Sequence, residues 1–307
     1  MLPQPNNYGL ISLSGDYFSL FGTELPNGSA SKLATMGQFI SSVRTVKWTG
    51  DNLVYANTAT AYPTSGTITS YMVTYADNSV EFAIKNISYA VAGAFTANGL
   101  VLTNDYWLGS SKNDVFPLTS GNDYINGEGG LDSIKSSISS TNYTISFNTS
   151  NNLTLQNKSN KYTYTTDSIE RLIFTDKSIA FDLNGNAGTI AKILGAVFGK
   201  GSVTNPTYVG IGLGLLDGGK KISEVMDLAL STALGKSYST DSMIKLLYTN
   251  IVGESPSTFE VQLYSNLVSN NLISSLDLAW QACDTSKNSS NVNLVGLMST
   301  GLDFNPA

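Results

Sequence analysis

The chain has 307 residues, of which 23 are Asp or Glu and 17 Lys or Arg, a net charge of -6 with only 13% of residues charged, about half the usual fraction. This acidic balance, with no basic stripe anywhere, excludes a nucleic-acid partner, which needs a basic face, and no apolar run approaches the ~20 residues a spanning helix requires. There is no histidine and one cysteine, Cys283, which removes Ser-His-Asp and Cys-His catalysis, His-ligated zinc and any disulfide framework.

A chain of this length is expected to form two or three domains. Residues 1–100 read as β-structure. The best hairpin joins Ser70–Tyr75 to Val80–Lys85 through Ala76-Asp77-Asn78-Ser79: both arms alternate and the joint is turn chemistry. Tyr8–Leu13, Val43–Trp48 and Leu53–Tyr55 read as further strands, and Ala30–Ser42 as a short helix. Trp48, Tyr62, Tyr71 and Tyr75 are the residues here that could meet a cell-surface glycan, although strand aromatics more often pack inward.

The chain is organised around the next stretch, 104–135. Asp105, Asp114, Asp123 and Asp132 recur every nine residues. Two places after each comes an apolar residue, Trp107, Phe116, Ile125 or Ile134, and one place before the first three comes Asn104, Asn113 or Asn122. Gly109, Gly121, Gly127, Gly129 and Gly130 lie in between. A nine-residue period excludes an amphipathic helix. It fits short strands joined by tight turns, each turn placing one carboxylate at the same height.

These residues resemble the RTX nonapeptide, G-G-x-G-x-D-x-U-x, of secreted calcium-binding proteins. The second half matches best, from Ser120-Gly121-Asn122-Asp123 to Gly127-Glu128-Gly129-Gly130-Leu131-Asp132, and the unit of Asp123 has the best turn. The resemblance implies a flattened parallel β-roll in which six residues form a calcium-binding turn, three form a strand, and units two apart share a side and an ion. It pairs Asp105 with Asp123 and Asp114 with Asp132, with Gly121, Gly127, Gly129 and Gly130 shaping the turns. Calcium takes six to eight oxygens, and glycine at φ > 0 lets turn carbonyls point inward. Two other readings stand beside this one. The stretch is then a Gly/Asn/Asp-rich surface loop with accidental spacing, or a roll that holds no calcium, since the first two units lack most of the glycines.

Tyr143–Phe147, Leu153–Leu155 and Tyr162–Tyr164 alternate as strands. Asp167–Asp182 resembles the segment that often closes an RTX roll, and it is expected to cover an open end whose backbone groups would otherwise be unpaired. The roll with its closing strands is thus expected over 101–182.

From Ala187 the period becomes helical. Ala191–Gly199, Ile222–Leu234, Ser242–Val252 and Thr258–Ser269 are amphipathic or largely apolar runs. Asp241 is expected to cap the third and Ser257 the fourth. The first and third look related, KILGAVFGK beside KLLYTNIVGE, which suggests a weak helical repeat. The pairing resembles domain-of-unknown-function family 4214, a helical domain often found behind RTX repeats and without a settled activity. Gly210-Ile211-Gly212-Leu213-Gly214 misses the dinucleotide fingerprint by one position, and those glycines are expected to let helices approach closely or to break a helix. The tail holds an amphipathic run, Ile273–Cys283, with Cys283 as a small buried hydrophobe, then a polar loop, Asp284–Asn293, and an apolar end, Leu294–Met298.

The expected class is a β + α multidomain protein: a β-rich domain over 1–100, a short parallel β-roll over 101–182 and a helical domain over 183–307. The resemblance implies a secreted, calcium-binding structural protein that self-assembles into a surface layer or filament. It would be exported without a cleaved signal peptide, since no basic segment followed by an apolar one follows Met1; an uncleaved export signal would lie in the tail. An adhesin or glycan-binding module is the alternative. Glycoside hydrolysis needs only two carboxylates, but no pair stands out, and the chain is read as a non-enzyme.

Overall fold

A computed structural model describes residues 9–13, 29–32, 36–40, 44–54, 65–75, 80–92, 105–109, 111–148 and 152–306. They belong to two compact units, Met1–Thr175 and Asp176–Ala307. Strands fill the first and helices most of the second, so the β + α class expected from the sequence holds.

The first unit begins with an antiparallel series: β1 (Gly9–Leu13), β2 (Ser29–Lys32), β3 (Met36–Ile40), β4 (Arg44–Val54), β5 (Ser65–Tyr75) and β6 (Val80–Ala92). The hairpin read from alternation is β5 with β6, where Tyr71 faces Ile84 and Val73 faces Phe82. Among the described residues of Ala30–Ser42 the expected short helix is absent. The segment is the β2–β3 hairpin instead, with Phe39 opposite Val46 of β4. Gly37 in mid-segment weakens a helix by about 1 kcal/mol, and a helix of that length is marginal without a packed face, whereas β4 offers a long edge to pair with. Of the strands read separately at Val43–Trp48 and Leu53–Tyr55, the described residues fall in β4, whose register with β5 shifts at Thr49/Gly50 and Asp51/Val54, while Val43 and Tyr55 lie outside the described residues.

β1 joins two kinds of pairing. It runs antiparallel to β6 and parallel to β7 (Asp105–Leu108). The nonapeptide units supply β7, β8 (Val115–Pro117), β9 (Tyr124–Asn126) and β10 (Ser133–Lys135). Units two apart pair in parallel, Trp107 opposite Ile125 and Phe116 opposite Ile134. The chain then makes an excursion through β11 (Tyr143–Phe147) and β12 (Leu153–Asn157), and β13 (Thr163–Asp167) returns parallel to β9. β14 (Arg171–Ile173) lies parallel to β10. Each three-residue strand buries its middle side chain: Phe116, Ile125, Ile134 and Leu172 are at most 1% exposed. Trp107 meets Phe116 edge to face, ring centroids 6.4 Å apart, so the two stacks of strands share one core.

In the second unit β15 (Ser178–Ala180) pairs antiparallel with β16 (Leu302–Phe304), tied by Lys177 to Asp303 at 3.2 Å. Between them run α1 (Asn186–Phe198), α2 (Pro206–Asp217), α3 (Ile222–Leu234), α4 (Thr240–Val252), α5 (Thr258–Ser269), α6 (Ser275–Cys283), α7 (Ser286–Asn291) and α8 (Leu294–Thr300). Ser257 caps α5 as expected, accepting from the Glu260 N–H. Asp241 does not cap α4: Ser239 accepts from the Ser242 N–H, while Asp241 in the first turn takes a hydrogen bond from Ser265. The tail expected as a polar loop, Asp284–Asn293, contains α7, capped by Thr285 and anchored by Asn288, whose amide donates to the carbonyls of Lys192 (2.8 Å) and Cys283 (2.7 Å). The glycine-rich stretch is the helix α2, and Gly212 lets α1 approach: a Cβ there would sit 2.8 Å from Ile190. Cys283 is buried, which pushes its thiol pKa up to about 12. Among the described residues no helix is long and apolar enough to cross a membrane.

Phe116 is fully buried and packs edge to face on Trp107. Phe116→Ala is expected to lower the unfolding free energy by about 3–5 kcal/mol. Ile138→Ala, at a residue 39% exposed, should change it by about 0.5 kcal/mol or less. Urea unfolding of the whole chain, followed by tryptophan fluorescence, measures both.

Candidate functional site

Asp114, Asp123 and Asp132 each stand one residue before a short strand. On the β8–β10–β14 side, Ser133 pairs with Val115 and with Arg171. The preceding residues, Asp114, Asp132 and Glu170, therefore line up as three acids on three adjacent parallel strands. The backbone locks them there. Ser133 N–H donates to the Asp114 carbonyl (2.9 Å), and the N–H groups of Glu170 (3.1 Å) and Arg171 (3.0 Å) donate to the Asp132 carbonyl.

The Asp132 carboxylate is wholly buried. Its Oδ1 accepts from the Asp114 N–H at 2.8 Å, and the Asp132 N–H donates to Glu170 Oε2 at 2.7 Å. Its Oδ2 is buried with no hydrogen-bond partner. Burial is the largest cause pushing its pKa up, to about 7, with the charges of Glu170 and Asp114 adding to it and the Asp114 N–H opposing it. A buried carboxylate oxygen left unsatisfied is costly, so this atom marks the place where a compensating charge belongs.

Glycine makes room for these carboxylates. A Cβ on Gly127 would strike the Ser168 carbonyl and Asp132 Oδ2, and one on Gly109 would come within 3.0 Å of Asp114 Oδ2. Gly121 and Gly130 have φ of 111° and 132°, a region that glycine enters without strain. Gly129 is different: a Cβ there would meet only Ser111 at 3.9 Å, so the turn does not require glycine at that position.

The asparagines one place before the acids bind neighbouring turns together. Asn113 Oδ1 accepts from the Leu131 N–H at 2.9 Å, and Asn122 Oδ1 accepts from the Thr163 N–H at 2.8 Å. Each spans one strand spacing, so Asn serves the stack where Asp serves the site.

The other side, β7–β9–β13, is built differently. Asp123 is 2% exposed and its Oδ2 accepts from the Thr119 hydroxyl at 2.9 Å. Its neighbour in register on β13 is Tyr164 rather than an acid. The Tyr164 hydroxyl donates to the Thr119 carbonyl at 2.7 Å, and burial, then the Asp123 charge, push its pKa up. Asp105 opens β7 in register with Asp123; its side chain lies outside the described residues. Of the two pairs that the RTX resemblance implies, the structure brings Asp114 and Asp132 into contact, while the second is aligned through its backbone.

Glu170 was not among the expected ligands. Its signal was in the sequence: Glu170-Arg171-Leu172 repeats the acid-x-apolar pattern of Asp132-Ser133-Ile134. Of the glycan-contact candidates, Trp48 is fully buried. Tyr62 and the side chains of Tyr71 and Tyr75 lie outside the described residues.

The donors are oxygen throughout, which suits a hard cation and not a soft one. Among the described residues no three acidic, thiol or imidazole side chains group closely enough to hold an ion by themselves. Asp114 and Asp132 could hold a hard cation only with further oxygens, such as turn carbonyls.

The raised pKa of Asp132 has a definite consequence in the absence of metal. Its folded value, about 7, lies above the ordinary aspartate value of 3.8. Its contribution to stability is fully present below the lower value and is lost as the pH rises through the upper one. In chelator, the melting temperature should fall across that window by more in the native chain than in Asp132→Asn, which keeps an oxygen for the Asp114 N–H and has no charge to bury. Thermal unfolding at a series of pH values measures the difference.

No family model matches the chain, and no curated protein matches it.

Proposed function

We propose that the chain is a calcium-binding structural protein of the cell surface or extracellular matrix, that residues 101–182 form a short parallel β-roll, and that the protein assembles with copies of itself. The observation that carries the calcium reading is the Asp132 carboxylate, buried beside Asp114 and Glu170 against the bare backbone of Gly127, with one oxygen unsatisfied. The parallel pairing of units two apart supports the roll, and the RTX resemblance of 104–135 agrees with both.

Calcium, when bound, supplies the positive charge that the aligned carboxylates lack. The chain's own residues do the rest. Gly109 and Gly127 keep side chains out of the site, Asn113 and Asn122 hold successive turns in register, and Phe116, Ile134 and Leu172 anchor the strands beneath. With few carboxylates, an affinity on the order of 10⁻⁴ to 10⁻³ M is expected, typical of extracellular modules. Calcium at that level is plentiful outside cells, which agrees with an extracellular setting.

Low charge favours self-association, because a charge-rich surface is what keeps copies of a protein apart, and only 13% of these residues are charged. A glycan-binding role would have to do without Trp48, which has no exposed surface.

Calcium at a hundredfold excess over its dissociation constant should stabilise the folded chain by about 2.7 kcal/mol. Differential scanning calorimetry with calcium and with chelator reads this as a rise in melting temperature. Asp132→Asn should abolish most of the rise and Asp114→Asn should weaken it. A melting temperature indifferent to calcium would refute the calcium reading, and electron microscopy of the calcium-loaded chain tests assembly separately.

A further inference from the structure

Among the described residues four strands end a run of paired strands: β2, β8, β11 and β16. Such an edge presents unpaired N–H and C=O groups to any strand that approaches, and proteins ordinarily blunt it with a charge or a proline. β2 carries Lys32, β8 carries Pro117 and β16 carries Asp303. β11, which reads Tyr143-Thr144-Ile145-Ser146-Phe147, carries neither. From Ser136 to Asn157 no residue is charged and none is proline or glycine, so neither its flanks nor its hairpin partner β12 guards it.

The edge is open at the middle of the strand. In the register of β11 with β12, the Asn142 carbonyl accepts from the Lys158 N–H and the Asn148 N–H donates to the Asn152 carbonyl, both at 2.9 Å. Hydrogen bonding alternates along an antiparallel pair. Thr144 and Ser146 therefore turn their backbone groups to β12, and Ile145 turns its N–H and C=O away. The Tyr143 N–H is used within its own turn, on the Ser140 carbonyl. Tyr143 is also fixed through its side chain, the ring centroid 5.5 Å from that of Phe174 and the hydroxyl 3.1 Å from that of Ser136. The strand is thus held from one side and offers the other.

The order of side chains along the strand says what fits. Read from either end, β11 is aromatic, hydroxyl, aliphatic, hydroxyl, aromatic. Neither β12, β13 nor β2 reads alike from both ends. Two copies of β11 turned antiparallel about Ile145 set Ile145 against Ile145, Thr144 against Ser146 and Tyr143 against Phe147. The outward groups of Ile145 then meet as a hydrogen-bonded pair. Thr144 and Ser146, both exposed, meet at the closer, non-hydrogen-bonded spacing. Aromatic pairs and Thr–Ser pairs are favourable cross-strand partners, and no charge is opposed or buried.

We infer that β11 is a docking edge for β11 of a second copy of this chain, the two joined about a two-fold axis at Ile145. A two-fold contact must be complementary to itself, so the palindromic order points to a second copy and not to an unrelated strand. The inference rests on the self-association reading only in sharing its partner; its ground is β11, and the two can fail separately. Five residues a side bury little area, which marks a weak, concentration-dependent dimer.

Thr144→Lys with Ser146→Lys sets lysine against lysine across the axis, whereas Thr144→Lys with Ser146→Glu sets lysine against glutamate. Analytical ultracentrifugation up to the solubility limit, with and without calcium, is expected to show dimers of the native chain and of the lysine–glutamate variant. The two-lysine variant is expected to lose the dimer and sediment at half the mass. Circular dichroism reports folding. If the two-lysine variant is not folded, Ile145→Pro replaces it, since proline there removes only an N–H that faces away from β12. A folded variant of either kind that still forms the native dimer overturns the assignment of this edge and leaves self-association standing. A lysine–glutamate variant that is monomeric where the native chain is dimeric overturns the two-fold register. A native chain that is monomeric throughout overturns both readings.

Discussion

Register is the constraint on which the middle of this protein depends. Parallel strands about 4.8 Å apart bring like positions of successive units side by side. At the middle position this stacks Phe116, Ile134 and Leu172 into a dry ladder. One position earlier it stacks Asp114, Asp132 and Glu170. The alignment that makes the core also makes the repulsion, and neither can be moved without the other, because a slip of one residue would send the apolar side chains outward. Unit charges one strand spacing apart repel by about 3 kcal/mol at an effective dielectric of about 20. Burial first, and then the charges of Glu170 and Asp114, raise the pKa of Asp132; protonation relieves both, and a cation at this place would relieve them as well and satisfy the buried Oδ2.

The small residues around the site follow from the same constraint. A carboxylate folded back against its own turn leaves no room for a Cβ, hence Gly127 under Asp132 and Gly109 beside Asp114. Stacked turns also need a bond that runs along the stack, and Asn113 before Asp114 and Asn122 before Asp123 supply it. Gly129 obeys neither demand, and its position is the one at which the turn has space.

Much of this was legible in the sequence, because a fixed period places chemistry at fixed heights. The period gave short strands with an acid at one height, and the RTX resemblance implied the alternation of units and the pairing of Asp114 with Asp132. The same period hid Glu170, because the excursion through β11, β12 and β13 breaks the count of nine; the acid-x-apolar pattern survives the break while the spacing does not. Ala30–Ser42 misled for another reason. Its local composition tolerates a helix, and only the distant edge of β4 decides for a strand. Cap assignment failed by two residues at α4, where Ser239 and Asp241 are both competent and the backbone geometry chooses Ser239.

The helical unit poses the opposite problem. Its elements were mostly readable, since α3 and α5 match their apolar runs end to end, but its organisation was not. The weak repeat survives only in outline: α1 and α4 each have 13 residues and end at a glycine of positive φ, Gly199 and Gly253. Dispersion and burial are non-directional, so side chains in an apolar core exchange freely as long as none is charged. The carboxylate ladder tolerates no such exchange, since coordination depends on particular oxygen atoms at particular distances. The two units thus rest on different forces. The cation proposed for the first unit would act through charge, whereas the second unit is held together by the burial of an apolar core, which weakens on cooling.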